Sequence, residues 1–133
     1  MRAVDTNIVL RLVTGDDPKQ EAIARDLIAR EVVFVPLTVV LECEWVLRSF
    51  YKRTRQQVAT ALTRLSHHPG LLFDDAAGVR WALDRYVAGV ADFDDVIHLL
   101  AAEAGGSGSL VTFDSDMETE VGPTTPVPID TLT

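Results

Sequence analysis

The sequence predicts an α/β fold in which a mostly parallel sheet is covered by helices on both faces. Two observations predict it. Short runs of β-branched and apolar residues alternate with segments of helical periodicity along the whole chain. At 133 residues and 47% hydrophobic content, the chain can bury one core yet is too short for two ordinary domains, so residues 1–133 are expected to form a single domain.

Arg2-Ala3-Val4 reads as a short buried strand, and Asp5-Thr6-Asn7 leads from it into a helical turn over Ile8 to Leu12. Gly15-Asp16-Asp17-Pro18 breaks the chain. Pro18 then opens a helix with apolar positions Ala22, Ile23, Leu27 and Ile28, and Val32 to Val35 forms a second strand. After Pro36, Thr38 is the expected cap of a long helix through about Tyr51. Thr54 starts a helix that stops at Pro69-Gly70, and Leu71-Leu72-Phe73 is a third strand. Asp74 or Asp75 caps a helix from Ala76 to Tyr86, and another runs from about Phe93 to Ala104. Gly105-Gly106-Ser107-Gly108 connects it to a fourth strand, Leu110-Val111-Thr112, with Phe113 to Asp116 as a loop. Val127-Pro128-Ile129 reads as an edge strand, where proline is tolerated.

Several function classes recede. Cys43 is the sole cysteine, so an internal disulfide is excluded and a buried hydrophobe is the simplest reading of it. His67, His68 and His98 do not make a zinc set. No apolar run approaches the roughly 20 residues that span a bilayer, and Met1-Arg2 passes directly into Val4-Asp5, so a cytoplasmic protein without membrane association is expected. The net charge of −8 argues against nucleic acid until its distribution is considered. All 12 Lys and Arg lie in residues 1–86 beside 11 carboxylates, a net +1, whereas residues 87–133 carry 9 carboxylates and a net −9.

In parallel α/β sheets, ligands bind outside the carboxyl ends of the strands. Asp5 and Asp114 each follow a short strand, so both can reach one crevice. Asp5 reads equally as a helix N-cap, with Thr6 and Asn7 as alternative caps or as groups orienting its carboxylate. Glu42 interrupts an apolar helix, where an unpaired charge costs several kcal/mol, so an arginine or a cation shared with other carboxylates is expected to compensate it. Glu44, about 200° away, is expected to face solvent or an arginine. Asp92, Asp94 and Asp95 crowd a helix start, where the dipole favours negative charge. Asp95 shares its face with Val96, Leu99 and Ala102 and so points toward a cleft, while Asp94 and His98 suit an exposed pair. Asp116 either caps a short helix from Met117 to Val121 or completes a cation site.

Four carboxylates about 5 Å apart repel by roughly 3 kcal/mol per pair at an effective dielectric near 20, against a total stability of about 5–15 kcal/mol. Hard divalent ions relieve such crowding. With no thiol or imidazole cluster present, Mg²⁺ is the natural choice and Mn²⁺ the next.

Taken together, Asp5-Thr6-Asn7, Glu42, Asp92-Phe93-Asp94-Asp95-Val96-Ile97-His98-Leu99 and Val111-Thr112-Phe113-Asp114-Ser115-Asp116 resemble the PIN-domain pattern in order and spacing. Within that class, the length and the D-F-x-D-x-x-H-L run look most like VapC toxins of toxin-antitoxin pairs. The resemblance implies a three-layer α/β/α sandwich with a central, mostly parallel sheet of four to five strands, and a metal-dependent endoribonuclease. It assigns Asp5, Glu42, Asp95 and Asp114 to catalysis and metal binding, Asp116 to an accessory metal role, and Asn7 and Thr112 to support of the site. It also implies a cognate antitoxin and a homodimer. Asp94 departs from the pattern, which usually has a small residue there.

RNA approaching an acidic pocket needs flanking positive charge. The segment from Arg48 to Arg55 supplies Arg48, Lys52, Arg53 and Arg55 with Tyr51 among them, and reads either as an RNA contact or as a solvated or protein-binding hairpin. Two competing readings stand beside the RNA-cleaving toxin: another metal-dependent nuclease or phosphohydrolase on the same fold, and a catalytically silent PIN-like binding module. A phosphatase acting through phosphoaspartate wants a second aspartate two residues after Asp5, where Asn7 stands.

Overall fold

The computed structural model describes residues 1–89 and 91–133. In chain order the elements are α1 (Thr6–Thr14), α2 (Pro18–Arg30), β1 (Val33–Val35), α3 (Leu37–Ser49), α4 (Arg55–Ser66), β2 (Leu71–Phe73), α5 (Ala76–Val87), α6 (Phe93–Ala104), β3 (Leu110–Thr112), α7 (Met117–Val121) and β4 (Ile129–Thr131).

Local chemistry accounts for most of these boundaries. The Asp5 carboxylate accepts the Ile8 N–H at 3.2 Å, and Gly15 ends α1 in the left-handed region at φ 66°. Asp17 accepts from the Gln20 N–H ahead of Pro18, and Thr54 with Gln57 forms a reciprocal capping box on α4. Asp75 caps α5 from a left-handed conformation. Two expectations are corrected. Helix α3 starts before Thr38, because Pro36 stands extended at its N-cap and its carbonyl accepts from Val39 and Val40. Strand β4 lies two residues beyond the expected edge strand, since Pro128 has no N–H to give the ladder; its carbonyl instead accepts from the Leu110 N–H at 2.8 Å.

Every strand pairing among the described residues is parallel: β1 with β2, β3 with β4, and Ala3 with Phe34 as a single bridge. The Arg2 to Val4 segment therefore extends the β1–β2 pair on its far side, held by Val4 N–H to the Phe34 carbonyl and Phe34 N–H to the Arg2 carbonyl. The α/β class is as the sequence predicts, but the sheet is small and lies in two pieces. Parallel neighbours demand crossover connections, and helices supply them.

Buried side chains from all these layers form one cluster that includes Val33, Val35, Val40, Leu47, Leu62, Val79, Val96 and Leu99. At Gly70, just before β2, the backbone passes so close to α2 that an added Cβ would lie 2.0 Å from the Ile28 carbonyl oxygen. Among the described residues, no helix is long and apolar enough to cross a membrane.

Candidate metal centre

Helix α6 begins with Asp92 at its N-cap, Asp94 and Asp95 in its first turn, and buried Phe93, Val96, Leu99 and Leu100 fixing its rotation. That rotation leaves Asp94 exposed and turns Asp95 half under, as helical phase predicts. The side chain of Asp92 does not cap the helix, so its carboxylate is not engaged there; Asp94 accepts the Asp95 N–H at 3.0 Å.

Two groups of carboxylates meet at Asp95. Asp92, Asp94 and Asp95 each offer an oxygen within 4.8 Å of the others, and so do Asp95, Asp114 and Glu120. Burial raises the Asp95 carboxyl above its ordinary value, with Asp94, Asp92 and Asp114 adding to the shift and His98 opposing it. Asp114, just beyond β3, is fixed from both sides. Its N–H donates to Thr112 Oγ1, and its Oδ1 accepts the Asp116 N–H, both at 3.0 Å. The Asp116 carboxylate belongs to neither group.

Asp5, the N-cap of α1, and Glu42, on α3, stand outside these two groups, on helices that pack together. Buried Thr6 links them, being next to Asp5 in sequence and donating its hydroxyl to Glu42 Oε1. Cys43 lies fully buried beneath; burial, then Glu42 and Asp5, push its thiol up to about 12, so it stays protonated and inert. Glu42 reaches toward α6 as well, because it lines a cavity of about 660 Å³ together with Asp92 and Asp94. Asp5 and Asn7 line a separate hollow with Arg11 and Gln20. The expected quartet is therefore divided: Asp95 meets Asp114 and Glu120, whereas Glu42 is tied through Thr6 to the helix that Asp5 caps.

The expected burial of Glu42 is corrected, for Glu42 is exposed and Glu44 is the buried acid at 3% exposure. Val40, Cys43, Glu44 and Leu47 recur at helical spacing and form the inward stripe of α3, which carries Glu44 with it. Arg48 at 2.7 Å and the Tyr86 hydroxyl at 2.8 Å satisfy its carboxylate. Sequence reasoning also missed Glu120. The signal was available, since Glu120 sits three residues after buried Met117 and beside buried Val121, on the inner side of α7.

The basic hairpin between α3 and α4 divides by role. The Tyr51 hydroxyl donates to Asp16 at 2.5 Å. Arg55 donates to the carbonyls of Tyr86 and Ala91 at 2.9 Å each and lies 4.6 Å from the centroid of the Tyr86 ring, so it ties α4 to the approach to α6. Lys52 is exposed and Arg53 half-exposed.

The donors around Asp95 are all carboxylate oxygens, a set that suits a hard divalent cation and leaves a thiophilic one without its preferred ligands. Such a cation relieves the repulsion that crowding and burial impose on Asp95. No curated protein and no solved structure matches the chain. A family model described as PIN domain matches residues 2–119, a span that contains Asp5, Glu42, Asp95 and Asp114 and stops one residue short of Glu120.

Proposed function

From the premise that this chain belongs to the PIN-domain family of metal-dependent nucleases, we propose that it is an Mg²⁺-dependent endoribonuclease acting as the toxin of a toxin-antitoxin pair. The observation that carries the metal-dependent reading is the convergence of Asp95, Asp114 and Glu120 from α6, the β3 end and α7. Carboxylates brought in by three separate elements share a crowded site that none of those elements needs for its own packing, and the repulsion they accept calls for a cation.

Asp95 and Asp114 are the principal ligands, with Glu120 beside them, and Asp5 and Glu42 complete the acidic set from the α1–α3 side. Thr112 and the Asp116 N–H hold the Asp114 carboxylate, while the Thr6 hydroxyl orients Glu42. When bound, the cation supplies positive charge to the phosphoryl oxygens and eases deprotonation of the attacking water. One carboxylate of the set orients that water and takes its proton as the water oxygen bonds to phosphorus and the bond to the leaving ribose oxygen breaks. No side-chain nucleophile takes part. Mg²⁺ suits the oxygen donor set, with Mn²⁺ an effective substitute. A cognate antitoxin that covers the site, a homodimeric assembly and a cytoplasmic setting belong to the same reading and rest on the likeness to VapC toxins.

The test is cleavage of single-stranded RNA by the purified protein in Mg²⁺. Asp95→Asn and Asp114→Asn should each lower the rate by about 100-fold or more, the scale of losing electrostatic stabilisation of a transition state. EDTA should stop cleavage, and a DNA strand of the same sequence should survive. Undiminished cleavage by Asp95→Asn overturns the mechanism, and equal cutting of DNA overturns the choice of RNA.

A further inference from the structure

The cavity beside the carboxylates contains more than acidic groups. Trp45, on α3 one turn after Leu41 and three residues after Glu42, lines the same 660 Å³ space and is 59% exposed. Single apolar side chains at a surface are ordinary, but a large flat ring forming the wall of a cavity is a stacking surface. Arg48, one turn further along, lines the cavity too. Its Nε is taken by Glu44 while its side chain stays 48% exposed, so part of the guanidinium faces outward. Asp92 and Asp94 line the cavity from the start of α6, and Arg55 from the start of α4; Asp94 is one residue from Asp95 at the candidate metal centre.

We infer that this cavity binds one unpaired base of the substrate strand, stacked on Trp45, with the adjoining backbone phosphate against the outer face of Arg48. This rests on the nuclease reading and adds to it how the strand is positioned. The Arg55 guanidinium is engaged by the Tyr86 and Ala91 carbonyls and by Asp92 at 3.6 Å. A phosphate inside the cavity would meet Glu42, Asp92 and Asp94, so the charged backbone stays at the Arg48 rim and the base goes in. Carboxylates accept hydrogen bonds and cannot donate them. Asp92 and Asp94 therefore favour bases that carry an exocyclic amino group, adenine, cytosine and guanine, over uracil, whose single N3–H lies between two carbonyl oxygens that a carboxylate repels. A double helix, with its bases stacked and paired, has nothing to insert.

The experiment uses the full chain carrying Trp81→Phe, which leaves Trp45 as the sole indole, and Asp95→Asn to stop cleavage. Single-stranded oligo(A), oligo(C) and oligo(U) and an RNA duplex are titrated while indole fluorescence is read. Saturable quenching by oligo(A) and oligo(C), at least several-fold weaker by oligo(U) and absent with duplex, is expected. With wild-type Asp95 restored, Trp45→Ala should raise KM for single-stranded RNA about ten-fold or more with kcat little changed, and Trp45→Phe should restore most of the loss. Quenching without any cleavage by the wild-type chain would keep the base site and reject the nuclease reading. Cleavage with unmoved fluorescence and an unaltered KM in Trp45→Ala would keep the nuclease and overturn the site, as would equal quenching by duplex. If Trp45→Ala cleaves normally but loses only its response to a neutralising protein, the cavity is a protein contact and the inference falls.

Discussion

The phenol of Tyr86 donates to the buried carboxylate of Glu44 across 2.8 Å, joining α5 to α3 at the cavity that both residues line. Arg48 shares the same oxygen of Glu44. Removing the phenol alone, in Tyr86→Phe, leaves a buried charged acceptor short of a partner and should cost about 1–3 kcal/mol, read as a lower urea midpoint at unchanged slope. An unchanged midpoint would mean that Arg48 satisfies Glu44 by itself.

Crowding at Asp95 predicts an inversion between metal-free and metal-loaded protein. In EDTA, Asp95→Asn should melt several degrees higher than wild type, because it removes a half-buried charge that Asp94, Asp92 and Asp114 oppose. Added Mg²⁺ should raise the wild-type melting point and leave that of the variant nearly fixed. Equal responses to Mg²⁺ would place the cation elsewhere.

Asp16 accepts from the Tyr51 and Thr14 hydroxyls and from Arg11, which together hold its carboxyl at about 2 against an ordinary 3.8. A depressed carboxyl stabilises the fold above its unfolded value and loses that contribution as the pH falls through its folded one. Wild type should therefore lose stability between about pH 4 and pH 2 more steeply than Asp16→Asn. Parallel curves from chemical denaturation across that range would remove Asp16 from the link between the α1–α2 turn and the α3–α4 hairpin.

Gly70 passes the Ile28 carbonyl too closely for any side chain. Gly70→Ala should cost roughly 1–3 kcal/mol or more as α2 and β2 move apart, measured by thermal or urea unfolding. Wild-type stability would show that the backbone there yields freely.

The cations of the hairpin should separate into two kinds. Lys52→Ala and Arg53→Ala should each flatten the salt dependence of RNA binding, by about 0.7 in log–log slope per lost phosphate contact. Arg55→Ala should instead lower stability, since its guanidinium is spent on the carbonyls of Tyr86 and Ala91. A slope unaffected by Lys52→Ala and Arg53→Ala would assign the hairpin to a protein partner.

Much of this was legible in the residues themselves. Caps such as Asp5, Asp17, Thr54 and Asp75 mark helix starts because their chemistry is local, and the phase of α6 distinguishes Asp95 from Asp94 by its buried neighbours. What escaped depends on packing between distant elements. Whether Glu42 or Glu44 faces inward is decided by where α3 meets α5, and there Tyr86 offers Glu44 a partner. Arg55 stands among the hairpin cations in sequence, and the fold adds what sequence conceals, that its guanidinium donates to the carbonyls of Tyr86 and Ala91. Glu120 was passed over because α7 is one turn long and its orientation comes from burying Met117 and Val121.

The acidic trio draws Asp95 from α6 and both other members from the stretch after β3, a strand that pairs with β4 and packs on α6. A nascent or clipped polypeptide lacking that final stretch carries Asp5, Glu42 and Asp95 but not the trio. The trio therefore exists only once residues 93–121 are folded together, and its assembly reports on the docking of α7 rather than on α6 alone.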